Sequence, residues 1–204
     1  MNVIQVINEV FTSNTYVISN DNSDWVWLID IGNLIGVLNT LSEKQQVRGV
    51  FITHPHYDHI YSINQLIELY PDCQVFASAQ TSEGLYSAKL NLSFYHDFPI
   101  EFKGTDIKVL NEGATIELFD KYYLEAMKTP GHHWGCLSFR INNYLFTGDS
   151  YIPNFEVVTK LKGGNKEAAL ESLDRLKKNI KQDTIICPGH GKMQTMHEFS
   201  NKDK

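Results

Sequence analysis

Residues 53–60 read THPHYDHI, so three histidines and one aspartate fall within six consecutive positions at the end of the apolar run VRGVFIT. A short apolar run of this kind predicts a buried strand, and the polar motif follows its C-terminal end. Proteins of the α/β class bind ligands at such strand ends, because the loops there converge on one edge of the sheet. The motif therefore favours an α/β fold in which residues 47–53 form a covered strand.

Strand-like and helix-like segments alternate along the rest of the chain, without an internal repeat or a linker rich in proline or serine. This pattern predicts one layered α/β domain over residues 1–204, with helices covering the sheets. We expect strands at residues 3–10, 15–19, 25–31, 47–53, 74–78, 107–110, 114–118, 122–127, 136–141, 144–148 and 184–190. We expect helices after Asn33, over 60–70 as far as Pro71, in the first part of 81–104, and from Asn165 to Ile180.

Four further polar turns follow apolar runs. They are IDIG with Asp30, TPGHH with His132 and His133, FTGD with Asp149, and CPGHG with His190. With THPHYDH, these turns contain six of the eight histidines, which is enough imidazole and carboxylate for two ions of zinc, iron or manganese. A structural zinc site is usually closed by four ligands and often uses cysteine, so this larger nitrogen and oxygen set indicates a catalytic centre.

The order H-x-H-x-D-H, TPGH, TGD and PGHG resembles the metallo-β-lactamase superfamily, in the branch that is similar to glyoxalase II-type hydrolases. The segments Asn14-Thr15-Tyr16 and LIDIG resemble the opening strands of that superfamily, so the likeness covers nearly the whole chain. It implies a four-layer αββα sandwich with metal ions at the open edge between the sheets. Aspartate at position 149, where classical zinc β-lactamases carry cysteine, is closer to the hydrolase and oxygenase branches.

The same resemblance implies a ligand set for two divalent ions, expected to be Zn²⁺, with iron or manganese as alternatives. Asp149 would bridge the ions, and Asp30 would support the site by accepting a hydrogen bond from a ligand histidine or a backbone amide. The remaining predicted ligands are His54, His56 and His132 for the first ion, and Asp58, His59 and His190 for the second.

A pair of ions about 3.5–4 Å apart can share a water, lower its pKa and direct the resulting hydroxide at a carbonyl or phosphorus atom. The expected function is therefore a hydrolase that cleaves an ester, thioester, lactone or lactam bond in a small molecule. Asp58 is the expected catalytic residue, because its second oxygen can orient the bridging hydroxide. The sequence leaves two alternatives open: a mononuclear-iron oxidoreductase resembling the persulfide dioxygenases, and a metal-binding module without catalysis.

Candidate substrate contacts flank the motifs. Three interpretations of His133 stand side by side: a substrate contact, a hydrogen-bond donor to a metal ligand, and a surface residue. Tyr151 flanks the site as a further candidate substrate contact. Lys160 and Lys162 are predicted to supply a cation for an anionic substrate, or else to form a solvated pair before a helix. Two segments depart from the glyoxalase II pattern. The stretch SYIPNFEVVTKLKGGN differs after TGD, and Ile60-Tyr61 replace the glycine expected after DH. The identity of the substrate therefore stays open.

Composition restricts the partners. A net charge of -6 and a sequence pI near 5.7 argue against nucleic acid, and no apolar stretch approaches the roughly 18 residues that span a membrane. Three cysteines far apart do not form a disulfide framework, and the alternating N-terminal segment MNVIQVINEVF reads as a strand and not as a signal peptide. We expect a cytoplasmic protein with a small-molecule substrate, and its oligomeric state stays open.

Overall fold

The apolar run before the histidine motif forms a strand, as its sequence predicts. In the computed structural model, which describes residues 1–195, this strand is Gln46–Phe51, and it has parallel neighbours on both sides. Val50 and Phe51 are fully buried. The polar motif therefore begins at the C-terminal end of a strand inside a sheet, where the backbone hydrogen bonds hold the start of the loop in place.

The first of two compact units, Met1–Leu110, contains this sheet. Its six strands are adjacent in sequence order, with the first three antiparallel and the last three added in parallel. The strands are β1 (Asn2–Ile7), β2 (Asn14–Ser19), β3 (Trp25–Ile29), β4 (Gln46–Phe51), β5 (Gln74–Ala77) and β6 (Ile107–Val109). The helices are α1 (Leu34–Leu38), α2 (Tyr57–Ile60), α3 (Ile63–Leu69) and α4 (Ala79–Leu85), followed by a 3₁₀ turn at Ser93–Tyr95.

The first strand is shorter than predicted, because a turn begins at Asn8. The backbone N–H of Asn8 donates to the Ser13 carbonyl, and its side-chain amide contacts the hydroxyls of Ser13 and Thr15. The Asn8 carboxamide oxygen also accepts from the backbone of Asn33. These contacts explain why the ladder with β2 ends at Ile7: the polar groups of Asn8 bind the turn at Ser13 and the loop that leads into α1.

The predicted helix over residues 60–70 is wrong at its start. A short helix, α2, already begins at Tyr57 and contains Asp58 and His59, and the chain breaks before α3. The break occurs because the Ser62 backbone N–H donates to the Ile31 carbonyl and not to a helical partner. Two residues of the histidine motif therefore lie on a helical turn and not in an extended loop.

The second unit, Asn111–Lys204, contains the other six-stranded sheet. Within this unit the structure describes residues 111–195. Its strands lie in the order β12-β11-β10-β9-β8-β7, and only β10 and β11 pair in parallel. They are β7 (Thr115–Phe119), β8 (Tyr122–Lys128), β9 (Leu137–Ile141), β10 (Tyr144–Gly148), β11 (Ile185–Pro188) and β12 (Gln194–Thr195). The predictions at 114–118, 122–127, 136–141, 144–148 and 184–190 are confirmed within one to two residues at each end.

Helix α5 (Lys166–Asn179) lies between β10 and β11 in the sequence and confirms the predicted amphipathic helix. Asn165 caps it, because its side-chain oxygen accepts from the Ala168 backbone N–H. Leu176 is buried in a cluster with Met127 and Leu145. Residues 151–165, between β10 and α5, form an irregular segment that we call the strap.

A single domain over residues 1–204 stays a prediction. In the part of the chain that the structure describes, no helix combines the length and the apolar character that a membrane span requires.

Candidate functional site

The ends of β3 and β4 hold the histidine motif in the first unit. Asp30 follows β3 and donates its N–H to the Phe51 carbonyl at 2.9 Å, and its left-handed backbone (φ 58°) turns the chain that comes after it. The next residue, Ile31, donates its N–H to the His59 carbonyl at 2.8 Å. Aspartate adopts this backbone region more readily than most residues. The turn after β3 is thus hydrogen-bonded to the last residue of β4 and to the far end of the histidine motif that follows β4.

A buried hydrogen-bond network connects Asp30 with two motif histidines. Its Oδ1 accepts from the Thr53 N–H at 2.7 Å, and its Oδ2 accepts from the Thr53 hydroxyl at 2.8 Å and from His59 Nδ1 at 2.9 Å. The Thr53 oxygen lies 3.0 Å from His54 Nδ1. Because the hydroxyl proton is directed to Asp30, the threonine oxygen is the acceptor toward His54.

This network determines which nitrogen of each histidine carries a lone pair. Both His54 and His59 donate through Nδ1, so Nε2 is the basic nitrogen that can bind a metal. Burial raises the pKa of Asp30, which is only 1% exposed, while the hydrogen bond and charge of His59 and the hydrogen bonds from Thr53 oppose that rise. One carboxylate and one hydroxyl therefore set the tautomers of two predicted ligands.

The predicted ligands of the first unit form one buried group. The rings of His54 and His56 have centroids 4.6 Å apart, and those of His54 and His59 are 4.3 Å apart. On the other side of the His59 ring, Nε2 lies 3.4 Å from Asp58 Oδ2. The Asp58 carbonyl accepts from the Ser13 hydroxyl at 2.7 Å, which ties this turn of α2 to the loop after β1.

In the second unit the strap and α5 hold the TPGHH turn. His132 Nδ1 donates to the Val158 carbonyl at 2.7 Å, so its Nε2 also carries the lone pair. The Ser172 hydroxyl donates to the Pro130 carbonyl at 2.6 Å. Gly131 has a φ of 143°, and a Cβ there would lie 2.3 Å from the Cα of Ala169. The turn can approach the helix this closely only because residue 131 has no side chain.

Asp149 lies between the two predicted ligand histidines of this unit. Its Oδ2 is 3.5 Å from His132 Nε2 and also 3.5 Å from His190 Nε2. Asp149 directly follows β10 and His190 follows the parallel neighbour β11, so both side chains start from the same edge of the sheet. The three residues form a set of two histidines and one carboxylate.

The spacing of these nitrogen and oxygen atoms fits a metal-binding site. A charge-assisted hydrogen bond between imidazole and carboxylate is about 2.7–2.9 Å long. The three contacts here are 3.4, 3.5 and 3.5 Å. Two ligands on a tetrahedral ion with bonds of about 2.0–2.2 Å lie about 3.3–3.6 Å apart. The atoms are therefore spaced as neighbouring ligands of one ion are spaced, and their chemistry suits zinc, iron or manganese.

The four predicted substrate contacts have different surroundings. His133 is 1% exposed, its ring faces Gly163 of the strap, and burial with the charge of His132 lowers its pKa to about 4. Tyr151 packs against the core cluster beneath α5, and burial raises its pKa. Lys160 and Lys162 are exposed on the strap. Their contacts with substrate stay predictions.

Two residues that hold ligand histidines are absent from the predicted site. Thr53 precedes His54 directly, and the signal for its role is its position after β4, beside the parallel strand β3 that Asp30 follows. Val158 acts through its backbone carbonyl, which any residue type supplies, so the sequence contains no signal for it.

Comparison with known proteins agrees with this architecture. Hydroxyacylglutathione hydrolase from Erwinia tasmaniensis is 30% identical over 172 residues, which are 84% of this chain and 59% of that protein. The chain spans 59–62% of the length of the curated relatives it matches. The BLEG-1 B3 metallo-beta-lactamase structure has a TM-score of 0.86 at 23% identity and covers 97% of this chain and 95% of its own. TTHA1623 in a di-iron-bound form has a TM-score of 0.79 at 23% identity and covers 98% of both chains.

The likeness to these solved structures confirms the predicted fold class, an α/β fold of the metallo-β-lactamase type. The family model for the metallo-beta-lactamase superfamily matches residues 9–190, a range that includes all seven predicted ligands. Since that match extends over most of the sequence, the chain belongs to the metallo-beta-lactamase superfamily.

Proposed function

We propose that the chain is a metal-dependent hydrolase whose two ligand sets act together on a pair of divalent ions. The superfamily match supports this, as do the hydrolase relatives at 26–30% identity. The proposed ligands are His54, His56, Asp58 and His59 from the first unit, and His132, Asp149 and His190 from the second.

One observation carries the proposal: imidazole and carboxylate atoms are held at the spacing of metal ligands in both units, at 3.4 and 3.5 Å. A charge-assisted hydrogen bond between the same groups would be about 2.7–2.9 Å long, so the longer contacts fit neighbouring ligands of an ion better than they fit direct hydrogen bonds. The Nδ1 hydrogen bonds of His54, His59 and His132 support the same conclusion, since each leaves Nε2 basic.

When bound, divalent ions lower the pKa of a coordinated water and polarise the carbonyl that it attacks. The protein residues position these partners. We assign Asp58 as the catalytic residue: its Oδ2 lies beside His59, and its Oδ1 would accept a hydrogen bond from the attacking water. Asp30 and Thr53 keep His59 and His54 in the tautomers that direct Nε2 away from their own network.

The proposed substrate is a small ester, thioester, lactone or lactam. A thioester has the most support, because the name of the relatives gives hydroxyacylglutathione, an acyl thioester, as their substrate. His133, Tyr151, Lys160 and Lys162 remain the proposed substrate contacts. Zinc is the proposed metal, and the di-iron form of TTHA1623 supports iron as the alternative. A cytoplasmic location is part of the same proposal.

A second candidate function rests on the second unit alone. His132, His190 and Asp149 form a set of two histidines and one carboxylate, with Asp149 at 3.5 Å from both imidazoles. This is the donor set of non-haem iron(II) oxygenases, which leave the remaining coordination positions open. A mononuclear-iron oxidoreductase of the persulfide dioxygenase type is therefore the alternative to hydrolysis.

Metal content and turnover, measured together, separate the candidates. We expect about two zinc ions per chain after purification without added metal, and hydrolysis of thioester or lactone substrates that chelation removes and zinc restores. Asp149→Ala and His56→Ala should abolish metal-dependent turnover with little change in circular dichroism, whereas Asp120→Ala, an exposed control, should behave as the wild type. One iron per chain with oxygen consumption would support the oxidoreductase. Full hydrolysis by Asp149→Ala would contradict the ligand assignment.

A further inference from the structure

The second unit contains a groove outside the metal-ligand set. It lies between the strap and the first half of α5 and has a volume of about 560 Å³. This volume is within the range of small-molecule sites, roughly 300–1,000 Å³. The apolar residues of its lining include Phe155, Val158, Leu170 and Leu173.

The walls of the groove are mainly apolar and accessible. Phe155 is 71% exposed, Val158 53% and Leu170 59%. Among the described residues of the second unit, six large apolar side chains are exposed, and these three line one groove. Single exposed apolar residues are ordinary on a protein surface, but a contiguous group in a concave site indicates a binding surface.

Two cations flank the apolar walls. Lys160 lies on the strap and Lys166 is the first residue of α5. In the described chain neither lysine pairs with a carboxylate, whereas Lys178 at the other end of the same helix pairs with Asp174. Glu156 is the single acidic residue that lines the groove. The groove therefore combines apolar contact area with a net positive charge, although the chain as a whole is acidic.

We propose that this groove binds a small amphipathic anion: a carboxylate on an apolar chain. The apolar chain would lie against Val158, Leu170 and Leu173, and the carboxylate would lie between Lys160 and Lys166. The sequence alone pairs Lys160 with Lys162, but the structure places Lys166 at the groove instead. The assignment does not rest on the metal ligands or on the reaction that they catalyse.

The groove shares one residue, Val158, with the hydrogen bond that orients the ligand histidine His132. Val158 contributes to the wall, and the carbonyl of the same residue accepts from His132 Nδ1 at 2.7 Å. A molecule bound in the groove thus contacts the strap residue that orients His132.

Calorimetric titration of the purified full chain with decanoate, below its micelle concentration, tests the proposal. We expect saturable binding of one molecule per chain. Lys160→Gln and Lys166→Gln should each weaken binding about threefold, because each removes one partly exposed charge contact. Leu170→Gln should weaken it about tenfold through lost apolar contact. Decanol should bind more weakly than decanoate.

Matched controls keep the test independent of folding. Lys177→Gln changes an exposed lysine of α5 outside the groove, and Leu69→Gln changes an exposed leucine in the first unit. Both should bind decanoate as the wild type does, and circular dichroism should show that all variants are folded. Non-saturable binding would overturn the proposal, as would equal affinity in the groove variants and the controls. Tighter binding of decanol than of decanoate would overturn the role of the lysines.

Discussion

Thr53→Val tests the hydrogen-bond network beneath the histidine motif, because valine keeps the volume and removes only the hydroxyl. The variant loses the 2.8 Å bond to Asp30 and the 3.0 Å bond from His54 Nδ1. Asp30 keeps two donors, but the His54 N–H is left buried without its acceptor. We expect the free energy of unfolding to fall by about 2–3 kcal/mol, from one lost bond to a carboxylate and one unsatisfied donor.

The same change should weaken metal binding, because His54 no longer has a preferred tautomer. Loss of a residue that orients a metal ligand typically costs about 10–100-fold in metal affinity, and we expect that range for Thr53→Val. Competition with a chromophoric chelator measures the affinity, and urea unfolding measures the stability. Thr53→Ser restores the hydroxyl and should recover both values.

The control for this experiment is Thr184→Val. Thr184 is equally buried, and its hydroxyl accepts from the Lys181 N–H at 2.8 Å in a turn before β11. This variant should lose about 1–2 kcal/mol of stability with unchanged metal affinity. If Thr53→Val binds metal as tightly as Thr184→Val does, then the hydroxyl does not orient His54 and the argument fails.

Two further predictions concern glycine and cysteine. Gly131→Ala should lower the free energy of unfolding by about 3 kcal/mol, because the added Cβ meets the Ala169 backbone. Gly113→Ala is the control: a Cβ there meets open space, so the loss should be about 1 kcal/mol. Urea unfolding measures both values. Burial raises the pKa of Cys73 from 9.0 to about 12, so at about pH 8 iodoacetamide should label it roughly a thousandfold more slowly than in urea. The unfolded chain loses the Cys73 proton at lower pH than the folded chain does, so the free energy of unfolding should fall as pH rises from 9 to 12. Equal labelling rates in the folded and the urea-unfolded chain would contradict the raised pKa.

Local patterns were sufficient for elements whose formation depends on nearby residues. Helix α5 has its apolar stripe and its cap within one segment, and the Asn165 side chain binds the Ala168 N–H as the sequence predicts. Asn33 caps α1 in the same way, through the Gly36 N–H. Short turns join β7 to β8 and β9 to β10, so the bounds of these strands also follow from alternation. In each case the partner is within a few residues, where sequence patterns are informative.

Partners distant in sequence explain what the patterns missed. The helix predicted from Ile60 instead starts at Tyr57 and breaks at Ser62, because the Ser62 N–H donates to Ile31 on another segment. Residue type cannot indicate this hydrogen bond. The same holds for Val158, whose carbonyl orients His132 across 26 positions.

The histidine motif shows where this limit applies within a metal site. Residue type predicts that His54 and His59 can bind metal, because imidazole is a ligand wherever it occurs. It does not predict which nitrogen is basic, since that depends on what accepts the other N–H. Here one buried carboxylate, Asp30, determines both. His59 Nδ1 donates to it directly, and His54 Nδ1 donates to the Thr53 hydroxyl, which in turn donates to Asp30. Parallel pairing of β3 with β4 brings these residues together, so the tautomers of the site are a consequence of sheet topology.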